Sequence, residues 1–244
     1  MNKVAICLSG AMSKLKFGRL SNLNELYCDV PYVNFNISFN SIKKHIIEAN
    51  PNYEFDFFIH SWNPDLSNQL NNLYKPKSYL YEDNNLYKDL LLSKTANPNN
   101  FSNVSRSFSM QKSIELMEEY KKENNIKYDL VINYRADLFL IKNMLLDSYD
   151  KSLIYVNAYK ESMGDFHFIM NEDNVSQFKY LFNSIDLGNE PLVHIWIKNY
   201  INNFMHKSLI EDNIHAGKDQ EVLRKLYTGE ENNSFPLKDL SNYE

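Results

Sequence analysis

Short apolar runs, each closed by glycine or by polar side chains, set the rhythm of this chain. Lys3 to Leu8 ends in Ser9-Gly10, Phe55 to Ile59 in His60-Ser61-Trp62, and Leu130 to Tyr134 in Arg135-Ala136-Asp137. Runs of this length, rich in β-branched and aromatic residues, read as strands covered on both faces. Ser78 to Tyr81 reads as another strand, with Pro76 forcing an extended approach to it. Leu153 to Asn157 follows, and then Met163 to Met170, whose alternation places Asp165 and His167 on one side of an extended segment.

Helical spacing fills the intervals. Phe39 to Asn50 carries Ile42, Ile46 and Ile47 on one face, sets His45 on or near the solvated face, and stops at Pro51. Arg106 to Asn125 has a stripe of Met110, Ile114, Met117 and, less regularly, Tyr120, with Ser107 or Ser109 as its cap. Val175 to Ile185 turns Phe178, Leu181, Phe182 and Ile185 inward. Glu190 to Phe204 has Pro191 in its first turn, and a short helix is expected over Lys218 to Leu226, after a polar loop at 211–217. Residues 82–105 read as a partly helical excursion with a mobile loop over the strand ends. Strands alternating with helices predict an α/β fold of Rossmann type, a mostly parallel sheet flanked by helices with a helical C-terminal part. One domain is expected over 1–228 and a loose polar tail over 229–244.

In open parallel sheets, ligands bind beyond the carboxyl ends of the strands, so the residues closing each run are the chemical candidates. If the central strand stays extended past Tyr134, Asn133, Arg135 and Asp137 point the same way. They bring an amide, a guanidinium and a carboxylate to a place where a phosphorylated ligand could sit; the alternative is a surface turn with an ordinary Arg–Asp pair. Ser9 and Gly10 close the first strand, and Lys14, Lys16 and Arg19 make the next stretch basic. Neither G-x-G-x-x-G nor a phosphate loop of the G-x-x-x-x-G-K type is present. Ser109-Met-Gln-Lys112 matches an S-x-x-K string, but its partner motifs S-D-N and K-T-G are missing.

Bulk properties narrow the classes. Of 244 residues 43% are hydrophobic and 14% aromatic, which excludes wholesale disorder. A net charge of −5 argues against nucleic-acid binding through bulk positive charge. The two cysteines, Cys7 and Cys28, have no metal or redox spacing, and Cys7 reads as a small buried hydrophobe in a reducing compartment. The apolar part of the N-terminus is too short for a signal peptide, and no run is long enough to cross a bilayer. A cytoplasmic protein is expected, with any membrane work peripheral; the sequence sets no oligomeric state.

Four stretches, KVAICLSG, FDFFIHSW, YDLVINYRADLFL and GDFHFIM with the helix after it, carry a resemblance over roughly the first 185 residues. In order and spacing they resemble the nucleotide-sugar-dependent glycosyltransferases of GT-A fold, above all the short ones of bacterial surface-polysaccharide clusters and large DNA viruses. The resemblance implies a nucleoside-diphosphate sugar donor, a glycan, lipid-linked or protein-linked acceptor, and Mn²⁺ or Mg²⁺ on the diphosphate. The D-x-D that holds the metal in that family reads Arg135-Ala136-Asp137 here. Asp137 carries over as the metal or ribose contact, Arg135 can neutralise the diphosphate itself, and metal dependence is put in question. His215 is the positional candidate for a further metal ligand. Asp165, with Glu161 behind it, matches the acidic position near the acceptor and is the candidate base. Ser9, Gly10, Lys14 and Arg19 fall on the donor side, and His60 and Trp62 beside the nucleoside. The other readings are a non-catalytic nucleotide- or glycan-binding protein on the same scaffold, and a nucleotidyltransferase or methyltransferase, which the missing glycine-rich fingerprint disfavours.

Overall fold

A computed structural model describes residues 1–12, 34–97, 100–159, 162–185, 193–223 and Tyr243. The apolar runs do become strands. In chain order the elements are β1 (Asn2–Gly10), α1 (Phe35–Ile42), β2 (Tyr53–Ser61), α2 (Ser67–Tyr74), β3 (Ser78–Tyr81), α3 (Lys88–Leu92) and α4 (Phe101–Asn124). There follow β4 (Leu130–Arg135), β5 (Leu138–Leu140), β6 (Ile154–Tyr159), β7 (Ser162–Met170), α5 (Glu172–Phe178), α6 (Val193–Asn203), β8 (Leu209–His215) and β9 (Gln220–Val222).

Seven of these strands form one sheet in the order β3-β2-β1-β4-β7-β6-β8. β1 to β4 are parallel to one another and β8 is parallel to β6, while β7 runs against both of its neighbours. The reversal follows from chain length: the link from Tyr159 to Ser162 is far too short for the crossover that a parallel pair needs. Strand composition explains the layering. In β1, Ala5 and Cys7 join the core beneath α4, whereas Val4, Ile6 and Leu8 join the opposite core with Ile42 and Ile46. A strand that is apolar at every position is one buried on both faces. β5 and β9 make a small second sheet.

Several expectations need correction. α4 starts at Phe101 rather than Arg106, so Ser107 and Ser109 lie inside it and cap nothing. The partly helical excursion expected over 82–105 is helical at Asn84–Tyr87, at Lys88–Leu92 and from Phe101 on, and the buried Asn84 and Leu91 tie it to the body of the fold. His45 is buried, not solvated, because Asn143 Oδ1 lies 2.8 Å from Nδ1 and the Tyr243 hydroxyl 2.6 Å from Nε2. Tyr243 is the described residue of the expected loose tail, and it packs on Phe139, edge to face at 4.7 Å. The polar loop at 211–217 is largely strand β8, and the start of the expected 218–226 helix is β9. β8 escaped notice because one of its inward positions is the acid Asp212. Its carboxylate is satisfied by the Tyr149 hydroxyl, the Ile214 N–H and His167 Nε2. Among the described residues, no helix is long and apolar enough to cross a membrane.

Candidate active site

The carboxyl ends of β1, β2 and β4 meet at one edge. Strand register sets Ser9 beside His60 on one side and beside Arg135 on the other. Gly10, the last residue of β1, has φ +114°, a conformation that L side chains rarely adopt. The Gly10 N–H donates to Ser109 Oγ of α4 at 2.8 Å. Ser9 Oγ and Ser61 Oγ are buried without a hydrogen-bond partner. Buried hydroxyls left unpaired in this way call for an explanation, and at the ligand edge of a parallel sheet a bound polar molecule would supply it.

β4 ends at Arg135, and the chain turns through Ala136-Asp137 instead of staying extended. The turn folds the carboxylate back onto the guanidinium: Arg135 Nε donates to Asp137 Oδ1 and a terminal nitrogen to Oδ2, both at 2.9 Å. The pair is nearly enclosed, with 12% and 7% of the two side chains exposed. Burial works against the Arg135 charge, but the fields of Asp137, Asp165 and Glu221 outweigh it and the guanidinium is held above its ordinary value. The guanidinium also lies 5.5 Å above the Phe166 ring. That ring is placed by a link between strands, in which the Phe166 N–H donates to Asn157 Oδ1 at 2.9 Å. A Cβ at Gly164 would fall 2.0 Å from Asn157 Nδ2, so a larger residue there would have to displace the Asn157 side chain that holds the Phe166 N–H.

Asp165 stands on β7 opposite α4. Arg106 Nε lies 3.3 Å from its Oδ2, and a terminal nitrogen of the same guanidinium donates to its main-chain oxygen. His167 faces elsewhere, between Asp212 and Gln220, so the shared orientation expected from alternation does not hold. The β6–β7 register shifts between Val156 and Ala158, which breaks the simple alternation.

His60 and Trp62, expected beside a nucleoside, are instead interior. His60 is fully buried, with Nδ1 2.7 Å from Ser109 Oγ and Nε2 3.0 Å from Glu82 Oε2. Trp62 stacks on Phe108 at 5.4 Å and takes the His60 ring edge-on at 4.7 Å. Both support the strand edge from below. Burial pulls His60 below its ordinary 6.5, against the hydrogen bond and field of Glu82, while Lys112 lowers it and Glu115 raises it more weakly. His45 is lowered as well, again chiefly by burial. An unfolded chain therefore takes up protons below pH 6.5 that the folded one resists. Stability should be full above that value and fall as pH drops through the folded-state values. Thermal melts between pH 6.5 and 4.5, above the ordinary range of Glu82, should show this decline, and His60→Asn should flatten it.

Among the described residues, the metal expected from family likeness finds no donor set. Both oxygens of Asp137 accept from Arg135, His215 is exposed on β8, and no described group of three or more His, Cys, Asp or Glu side chains could hold a metal ion. Lys14, Arg19 and Glu161 lie outside the described residues. Sequence reasoning missed Arg106, Ser109, Glu82 and Glu221. Glu221 is buried on β9, and its field reaches Arg135. For Arg106 and Ser109 a signal did exist: three apart on a helix, they share a face.

No family model matches this sequence, and no curated protein matches it. Among solved structures, a protein assigned as a nucleotide-diphospho-sugar transferase from Desulfovibrio desulfuricans G20 is similar at TM-score 0.52 and 10% identity, over 93% of this chain and 84% of that one. A nucleoside-diphosphate-sugar pyrophosphorylase from Vibrio cholerae RC9 gives TM-score 0.47 at 10% identity, over 91% and 95% of the two chains. Mouse xyloside xylosyltransferase 1 gives 0.38 at 9% identity, over 86% and 78%. The first of these shows a shared α/β fold, the Rossmann-like arrangement expected from the strand and helix pattern.

Proposed function

We propose that this chain transfers a sugar from a nucleoside-diphosphate sugar to a hydroxyl of a glycan, lipid-linked or protein-linked acceptor. One observation carries the reading: the central parallel strand delivers a buried, charged guanidinium, Arg135, to the sheet edge beside Gly10 and the unpaired Ser9 hydroxyl. A fixed cation in a nearly dry site suits the negative charge that grows on a departing diphosphate. The donor's C1–O bond breaks with its electron pair going to the diphosphate, while the acceptor oxygen bonds to C1. In an inverting course Asp165 receives the acceptor's hydroxyl proton.

The pairing of Asp165 with Arg106 favours one second reading, a non-catalytic binder of nucleotides or glycans, since the candidate base already has a partner. Incubation with UDP-, GDP-, dTDP- and CMP-sugars, followed by separation of products, tests both. A transferase releases free nucleotide and sugar from its preferred donor, through slow hydrolysis even without an acceptor. A binder shows saturation and no turnover. Production of inorganic diphosphate from a nucleoside triphosphate and a sugar phosphate would replace both readings with nucleotidyl transfer.

A further inference from the structure

Arg106 is a charged residue of α4 at the ligand edge, and it has no part in the reaction as drawn. Ser109, one turn further along that face, holds the Gly10 N–H. Three residues of helical rise, about 4.5 Å, therefore separate Arg106 from the contact at the end of β1. Its side chain is only 10% exposed, and it reaches across to Asp165 with both a side-chain and a main-chain contact. From the other side, Arg135 feels the Asp165 carboxylate as one of its main stabilising fields. The β4–β7 register sets Tyr134 opposite His167, which brings Asp165, paired with Arg106, to the carboxyl end of β4, the edge where a parallel sheet takes its ligand.

Guanidinium forks suit carboxylate and phosphate oxygens alike. A buried charge pair offsets its desolvation cost only where geometry and added hydrogen bonds are good, which the 3.3 Å contact of Arg106 Nε with Asp165 Oδ2 is not. We propose that Arg106 is a second cationic contact for the diphosphate of an incoming nucleotide, and that the Asp165 carboxylate holds its place in the free protein. This rests on the donor reading above. The exchange is one anion for another: the phosphoryl oxygens take over the Arg106 fork, and Asp165 Oδ2 is released. Arrival of the donor then sets free the group that the reaction needs as its proton acceptor. It also supplies a second positive contact in a site whose described residues hold no metal-binding set.

Calorimetric titration of the full chain with inorganic diphosphate and with UDP, in chelator, tests this. Arg106→Gln should weaken both affinities at least tenfold, and Arg106→Lys should recover only part, since it restores the charge without the fork. Asp165→Asn should tighten both several-fold, because a competing anion is gone. The assignment is overturned if wild type binds neither probe, if Arg106→Gln leaves both affinities unchanged, or if Asp165→Asn weakens them. Should Arg106→Gln fail to fold, Asp165→Asn decides alone, as it leaves Arg106 in place. Unchanged UDP affinity in Arg106→Gln with sugar transfer intact would overturn this contact and spare the transferase reading. Diphosphate binding that depends on Arg106 in a protein without turnover would do the reverse.

Discussion

Arg135→Gln is expected to abolish nucleotide binding and to destabilise the fold by about 3–5 kcal/mol, the usual cost of stranding one member of a buried ion pair. The residue left behind is Asp137, whose side chain is 7% exposed and whose two oxygens both accept from the lost guanidinium. Denaturant unfolding measures the stability loss through the midpoint. Stability and binding can be separated by removing both charges: Arg135→Met with Asp137→Leu should recover most of the stability, since apolar replacements of a buried pair are often neutral, yet bind no nucleotide. Asp137→Asn bears on the metal question. An Asp137 that serves as a pairing group can be neutralised with nucleotide binding retained, and addition of Mn²⁺ should then make little difference. An Asp137 that ligates metal cannot.

Asp165→Asn should slow turnover of the preferred donor by about 10²–10⁴-fold, the range for loss of a general base, without weakening donor binding. The asparagine is nearly isosteric and keeps an oxygen for Arg106, so the main-chain contact of Arg106 to residue 165 should persist. Comparing kcat with donor affinity in the same preparations separates the roles. Loss of affinity alongside turnover would make Asp165 a binding group. Unchanged turnover would remove it from the chemistry and fit a retaining course in which no enzymic base is required.

The strands nearest the ligand edge were readable from composition alone, because β1, β2 and β4 carry apolar runs that close in small or polar residues, with charge at the end of β4. Arg135 and Asp137 were legible for the same reason, although their pairing depends on the turn at Ala136 that no pattern announced. β8 was illegible because a buried acid, Asp212, takes an inward place, and only tertiary partners such as Tyr149 and His167 make that tolerable. The roles of His60 and Trp62 inverted for a related cause. A polar or aromatic side chain at a strand end looks available until a helix covers it, and α4 does so with Ser109 and Phe108. Arg106 was hidden because its partner lies 59 residues away in sequence, at Asp165.

Donor binding at Arg135 is best tested by thermal shift with UDP-, GDP-, dTDP- and CMP-sugars, with and without Mn²⁺, on wild type and on the Arg135→Met/Asp137→Leu protein. At a hundredfold excess over Kd a true ligand stabilises by about 2.7 kcal/mol. At least one nucleotide sugar should raise the wild-type Tm and leave the double variant unmoved. No shift with any nucleotide, or an equal shift in both proteins, would contradict the placement of a donor diphosphate on Arg135.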